Sequence, residues 1–356
     1  MRDAALVRSD ATAIPLGDNT VDLIVTSPPY FALRSYQDGG EHYDGQIGSE
    51  ATPTAFLEAL WAVTAECWRV LKPSGSLFVN LGDKYVGSAV VGSGGKGEAS
   101  KVHGGGSNLK ANTQADGRRV TYGGIRAKSL MGLPWRYAIG CIDGQADPDG
   151  RGWVLRSEIV WSKPNGLPES VTDRVRRSHE NWFHLTKEGR YYSNVDEVRE
   201  PAATADPENP SYRENKSAKR RKGLATPPGQ SKPSLEGAAR EATNPLGKLP
   251  GSVWTVPTQP LIVPDWLDVD HFAAFPTEWP RRLILGWSPP DGVVLDPFGG
   301  TGTTAMVARA LGRYGVSCDL SGDYQRLAKW RIWQSGQAAR VAAKTDGERQ
   351  MDLFAS

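Results

Sequence analysis

Cysteine is scarce in this chain, and its scarcity removes several classes at once. Cys67, Cys141 and Cys318 are the three present, far apart and in no CxxC pair. That spacing excludes a disulfide framework and a cysteine-rich zinc site, so no metal is expected and a reducing cytoplasm fits. Long apolar runs are missing too. None reaches the roughly 18 residues of a membrane span, and the leading MRDAALVRSDATAIP lacks the hydrophobic stretch of a secretion signal. No membrane partner is therefore expected. Net charge is almost absent: 42 Lys and Arg against 40 Asp and Glu leave +2 over 356 residues. Bulk charge thus neither selects nor excludes a polyanion, and only its distribution can.

Glycine, in contrast, is plentiful. With 40 Gly and 25 Pro the chain has material for many connections, and its length suits one large domain. Residues 21–25 (VDLIV) form a short apolar run ending at TSPPY, which predicts a buried strand delivering a Pro-rich loop. Residues 53–70 read as a helix, because Phe56, Leu60, Val63 and Cys67 recur at helical spacing before the stop LKPSG. SLFV at 76–79 predicts another strand, closing at Asn80 and Asp83. The alternation returns near the C-terminus, where GVVL (292–295) leads into DPFGGTGTT, a helix runs to about Ala310, and a strand at 314–318 ends at Asp319. WVLRSEIVW (153–161) is a further strand candidate. Together these segments predict an α/β fold, a mostly parallel sheet whose loops meet at one edge.

Two segments interrupt the pattern. Residues 86–128 are rich in Gly, Ser and Asn, with Lys96, Lys101, Lys110, Arg118, Arg119, Arg126 and Lys128 against Glu98 and Asp116. Residues 199–250 carry the run Arg213, Lys216, Lys219, Arg220, Arg221 and Lys222. Neither holds enough apolar surface to fold alone. The first is expected to be a flexible basic insert. The second is expected to be a basic loop, a candidate recognition insert, within a single domain spanning 1–356. Such loops are either solvated faces or phosphate contacts, and two of them flanking one core favour phosphate.

Asp296, Phe298, Gly299, Gly300, Thr301, Gly302 and Thr303 belong to a loop that follows a strand and opens a helix. Closely spaced glycines let backbone turn sharply and approach a ligand. No Gly-Lys-Ser/Thr follows, so this is not a Walker A loop, and the spacing is not GxGxxG. Asp319 closes the next strand, where a carboxylate can accept hydrogen bonds from ribose hydroxyls, as in dinucleotide folds. Taken alone, the loop also suits the tight turn of an ordinary α/β protein.

Thr26, Ser27, Pro28, Pro29 and Tyr30 supply the second motif. Together the two motifs resemble those of the DNA amino-methyltransferases. The resemblance extends to His271 with Phe275 and Pro276, to residues 161–168 and to residues 177–180. The catalytic motif precedes the cofactor motif, the permuted order of the beta class. The resemblance implies a Rossmann-like, circularly permuted sheet of seven strands, mostly parallel, with the N-terminus supplying the last cofactor-binding strand. It also implies S-adenosyl-L-methionine as cofactor, S-adenosyl-L-homocysteine as product, and double-stranded DNA as partner. Asp10, Thr26, Phe275 and Pro276 would join the glycine loop and Asp319 around the cofactor.

The chemistry wants these residue types. An amine inside a duplex is out of reach, so the nucleotide must be extruded. Tyr30 offers a face to the extruded ring, a contact of about 1–3 kcal/mol in comparable stacking. Ser27 and the Pro28 carbonyl can accept hydrogen bonds from the amine, and Pro28 and Pro29 stiffen the loop that holds them. Transfer is then a matter of positioning and electrostatics. No Pro-Cys pair lies near either motif, which disfavours carbon-5 methylation of cytosine.

Ser27 after Thr26 is the form that in the resembled family usually accompanies N4-cytosine, so that base is expected, with N6-adenine as the alternative. A non-catalytic DNA-binding module and an RNA or small-molecule methyltransferase are further rivals. Arg34 and Tyr36 are candidates for gripping a phosphate or filling the gap left by the flipped base, or for ordinary surface packing. Lys163 and Asn165, grouped with Trp161 and Pro168, either contact DNA or frame a buried tryptophan. Arg174, Arg176 and Arg177 suit backbone contacts. A monomer or homodimer is expected, with a cognate restriction enzyme as a possible companion.

Overall fold

Strands of this chain read as near-continuous apolar runs because most of them are covered on both faces. The computed structural model describes residues 3–32, 37–38, 41–42, 46–86, 121–122, 124–166, 168–201, 246–269 and 274–355. Its main sheet contains β1 (Ala4–Arg8), β2 (Val21–Thr26), β3 (Leu71–Leu81) and β4 (Val154–Ser162). It is completed by β5 (His179–Thr186), β6 (Val253–Thr255), β7 (Val293–Asp296) and β8 (Tyr314–Asp319). The order is β1-β8-β7-β2-β3-β5-β4-β6. Only β5 runs against its neighbours; every other adjacent pair is parallel.

Among the described residues the sheet therefore has eight strands where seven were expected. The additional one is the three-residue edge strand β6, too short to leave a periodic signal. The expected permutation is present. β1 pairs in parallel with β8, and Arg8 stands opposite Asp319, so the first and last strands of the sheet's sequence lie side by side.

Alternate residues of the strands feed two cores. Val21, Ile24, Leu77, Val79, Phe183 and Leu295 face one layer, while Leu23, Val25, Phe78, Trp182 and Val294 face the other. The first layer is covered by α1 (Pro53–Val70) and α2 (Leu133–Ile142). Over the second lie α3 (Glu278–Trp287), α4 (Thr303–Ala310) and α5 (Gly322–Trp333), with α6 (Gln337–Ala355) packed against α4 and α5. Helix α1 starts where predicted, since Thr52 accepts a hydrogen bond from the Ala55 amide at 3.1 Å and Pro53 opens the first turn. It buries Phe56, Leu60, Val63 and Cys67. The helix stops at LKPSG as expected, with Leu71 its extended C-cap, and the same residues make a bulge at the start of β3: Leu71 pairs with Val21, Ser76 with Leu23, and the residues between are looped out. Among the described residues no helix is long and apolar enough to cross a membrane.

Candidate active site

Strand β7 lies next to β2 in parallel, with Leu295 opposite Ile24. Their carboxyl ends thus leave the sheet together, and the two loops that follow emerge side by side. Asp296 ties them. It is buried, accepts from Thr26 Oγ1 at 2.7 Å and from Thr304 Oγ1 at 2.9 Å, and receives the Phe298 amide at 3.1 Å. Burial pushes this carboxyl up to about 6, against the pull of its three donors, and the charge of Asp319 raises it further. Thr26, expected to meet the cofactor, turns its hydroxyl into this hub.

Gly299 has no room for a side chain. A Cβ there would fall 1.8 Å from Ser317 Oγ, and the Gly299 amide donates to the Cys318 carbonyl at 2.7 Å. The loop is thereby pressed against β8. Asp319 secures it further by accepting from the Gly300 amide at 2.9 Å and the Ser321 amide at 2.8 Å. Gly302 then starts α4 with a left-handed φ of 71°, and no side chain caps the helix amides.

Thr301 and Thr303 point away from the loop's open side. Both are buried, and both accept from Nη1 of Arg331 on α5, at 2.6 and 2.5 Å. Arg331 is itself buried, which lowers its guanidinium to about 10. No feature of the sequence distinguishes it from Arg326, the other arginine of its helix, so reading by motif missed it. Asp10 lies just past β1, beside the end of β8, and its exposed carboxylate holds the Thr12 amide at 2.8 Å. Phe275 packs edge-on against Trp182 with ring centres 5.7 Å apart, and Pro276 is buried where α3 begins.

The Pro-rich loop is anchored on both sides. Pro28 is buried and lines a small apolar cavity with Leu60, Val79, Tyr137 and Phe298. Phe31 is buried against Phe56. Beyond it the Ala32 amide donates to Gly48 O at 2.7 Å and Lys84 Nζ donates to Ala32 O. Ser27, Pro29 and Tyr30 stay half-buried between these anchors. Ser27 Oγ lies 3.3 Å from Asn80 Oδ1. The Tyr30 hydroxyl lies 2.7 Å from the same oxygen and 2.8 Å from Glu180 Oε2. Gly82 admits the ring, since a Cβ there would sit 2.6 Å from Tyr30 Cε2. Asn80, where the strand read at 76–79 closes, thus meets both side chains of the Pro-rich loop, and Asp83 beside it accepts from the Gly132 and Leu133 amides that open α2. Glu180 was not singled out as a site residue, because its meeting with Tyr30 spans 150 positions of sequence.

The basic candidates for DNA contact are mostly engaged within the protein. Lys163 pairs with Glu180 and lies 4.0 Å from the Trp161 ring centre. Arg174 bonds Glu169 at 2.7 Å and lies over the Tyr85 ring. Arg177 faces Asp83 at 3.5 Å. Asn165 exchanges two hydrogen bonds with the Thr258 backbone, at 2.8 and 3.2 Å. Arg176 is exposed and donates to Gly166 O. Glu180 on β5 and Asp83 just past β3 belong to other elements than the residues they pair with, so sequence proximity did not reveal them, whereas Glu169 stands only five positions from Arg174. Arg34, Tyr36 and His271 lie outside the described residues, as do residues 87–120 and 202–245 of the two basic segments.

The chain is similar to known proteins. The DNA methylase family model for N6 and N4 enzymes matches residues 21–330. The chain is 33% identical over 339 residues to Type II methyltransferase M.SmaI of Serratia marcescens, covering 93% of this chain and 91% of that protein. It is 34% identical over 347 residues to Type II methyltransferase M.Cfr9I of Citrobacter freundii, covering 96% and 92%. Among solved structures, the PvuII cytosine-N4-specific DNA methyltransferase superposes with a TM-score of 0.58 at 16% identity, over 96% of this chain and 92% of that one, a likeness of fold.

Proposed function

The chain belongs to the N6/N4 DNA methylase family, whose members methylate exocyclic amines of DNA with S-adenosylmethionine, and from that premise we propose that this enzyme modifies N4 of cytosine in an extruded base. The bond between Thr26 and Asp296 carries the reading, because it joins the Pro-rich loop to the glycine loop at one sheet edge. A cofactor and a base held by these loops would face each other there.

The residues present fit the cofactor. The glycine loop lies against β8 without side chains in the way, and the first amides of α4 have no side-chain cap. Gly300, Phe298 and Asp319 would hold it, with Asp10 alongside. S-adenosylmethionine, when bound, supplies a methyl group on a positively charged sulfur. Thr301, Thr303 and Arg331 keep the loop's shape from behind.

The other loop handles the base. Tyr30 would stack on the extruded ring. Ser27 Oγ and the Pro28 carbonyl would accept the amine hydrogens and so aim the nitrogen lone pair at the methyl group. Docking of Pro28 in the core keeps these acceptors from moving, which is where a positioning enzyme gains most of its rate. Ser27, in place of an acidic residue, favours cytosine, following the pattern of the family. The basic run from Arg213 to Lys222 would meet phosphates.

Nucleoside analysis of duplex DNA incubated with the protein and S-adenosylmethionine tests this. N4-methyldeoxycytidine is expected. N6-methyldeoxyadenosine alone would overturn the choice of base, and DNA binding with no methylated product would favour a non-catalytic module.

A further inference from the structure

Lys163 and Glu180 are so far without a task. They meet across neighbouring strands: Trp161 of β4 stands opposite Glu180 of β5, and Lys163 follows just after β4. Their side chains are largely covered, at 19% and 17% exposure. Drawing two charges this far from water is costly, and such a pair does little for stability by itself. Its effect is felt at the second carboxylate oxygen. Glu180 Oε1 takes the Lys163 ammonium, while Oε2 lies 2.8 Å from the Tyr30 hydroxyl. On the hydroxyl's other side is Asn80 Oδ1, at 2.7 Å.

A phenol carries one proton for these two acceptors, and the charged oxygen is the stronger competitor. The ring is thus held at its tip by Glu180, with the Asn80 oxygen as the weaker competitor, while its edge lies against backbone at Gly82. Lys163 is held in turn above Trp161, whose indole Nε1 donates to Val256 O at 2.7 Å. The chain of contacts runs from a rigid edge of the sheet to the tip of one aromatic side chain.

We propose that Glu180, oriented by Lys163, is a positioning residue that fixes the plane of the Tyr30 ring against which the base stacks. The inference rests on the stacking role given to Tyr30 above. Without the anchor the ring can rock, and small misplacements of a reacting group lower turnover steeply. The same contacts withdraw Lys163 from phosphate binding.

A mutant cycle on methyl transfer to duplex DNA, at saturating cofactor, tests it. Tyr30→Phe keeps the stacking face but loses the anchored hydroxyl, and Glu180→Ala loses the anchor. Each should lower kcat by about tenfold or more, the double variant should be no worse than either single one, and cofactor affinity by calorimetry should hold. Losses that multiply in the double variant, or a cofactor affinity that falls in step with kcat, would overturn the proposal. Should Glu180→Ala fail to fold, the near-isosteric Glu180→Gln carries the same cycle. Undiminished turnover in Tyr30→Ala would instead remove the stacking role. An inactive Tyr30→Ala with multiplying losses would remove only this inference.

Discussion

Arg331 shows how much a single side chain can decide. It is buried beneath the glycine loop, and its hydrogen bonds go to neutral oxygens, with Nε donating to Gln337 Oε1 at 2.9 Å. It also touches Thr301 and Thr303, at hydrogen-bond distances that fix the loop's inner face. A buried hydroxyl left without its donor costs roughly 1–3 kcal/mol. Arg331→Met should therefore weaken S-adenosylmethionine binding by about tenfold, read as a calorimetric Kd. An unchanged Kd would mean the loop keeps its shape without the arginine. Asp319, whose carboxylate spans the Gly300 and Ser321 amides, has the same kind of influence from the front of the loop.

At the scale of elements, the site is a product of strand ends. β2 and β7 deliver the two loops because they are parallel neighbours, while reversed β5 presents Glu180 at its start beside the end of β3. Asn80 and Gly82 stand at that end, and Gly82 is where the strand makes room for Tyr30. Gly82→Ala should displace the ring and lower kcat by about tenfold to a hundredfold, with far-UV circular dichroism unchanged. Full activity in that variant would show that the ring need not lie where the structure has it. Much of this frame was legible beforehand. The VDLIV run, the helix at 53–70 and the strand before the glycine loop all stand close to their predicted bounds, since each announces itself by local periodicity. β5 was not foreseen, because HENWFHLT mixes polar and aromatic residues in a pattern that its two opposite faces explain only afterwards. One face takes Phe183 and Leu185; the other takes Trp182 and His184.

Over the whole molecule, two buried groups set opposing responses to acid. His184 is stacked on Phe78 with ring centres 4.2 Å apart, and burial, aided by the charge of Arg156, lowers it from 6.5 to about 3. The folded protein refuses a proton that the unfolded chain accepts, so stability present above 6.5 is lost as pH falls toward 3. Asp296 works the other way. Its folded value of about 6 exceeds the ordinary 3.8, so its contribution is full below 3.8 and is lost as pH rises through 6. Between about pH 7 and about pH 5 these amount to roughly 2 kcal/mol lost through His184 and roughly 1 kcal/mol gained through Asp296. Urea denaturation at the two pH values should show His184→Gln losing less stability than the unsubstituted protein on acidification. Asp296→Asn should lose more. Identical pH dependence in all three would mean that neither group titrates out of register with the unfolded chain.

Local pattern alone determined the class of fold, the order of the two loops and the residues that compose them, because hydrophobic period and turn chemistry are written in consecutive residues. The resemblance built on those loops anticipated the family, and the match over residues 21–330 agrees with it. The tertiary structure decided which charges are spent internally. Lys163 goes to Glu180, Arg177 to Asp83 and Arg174 to Glu169, and the buried Arg331 takes the hydroxyls of the loop threonines. All but the local Arg174 pair depend on how strands and helices are arranged, which brings together side chains as far apart in sequence as Asp83 and Arg177, and no local pattern encodes that.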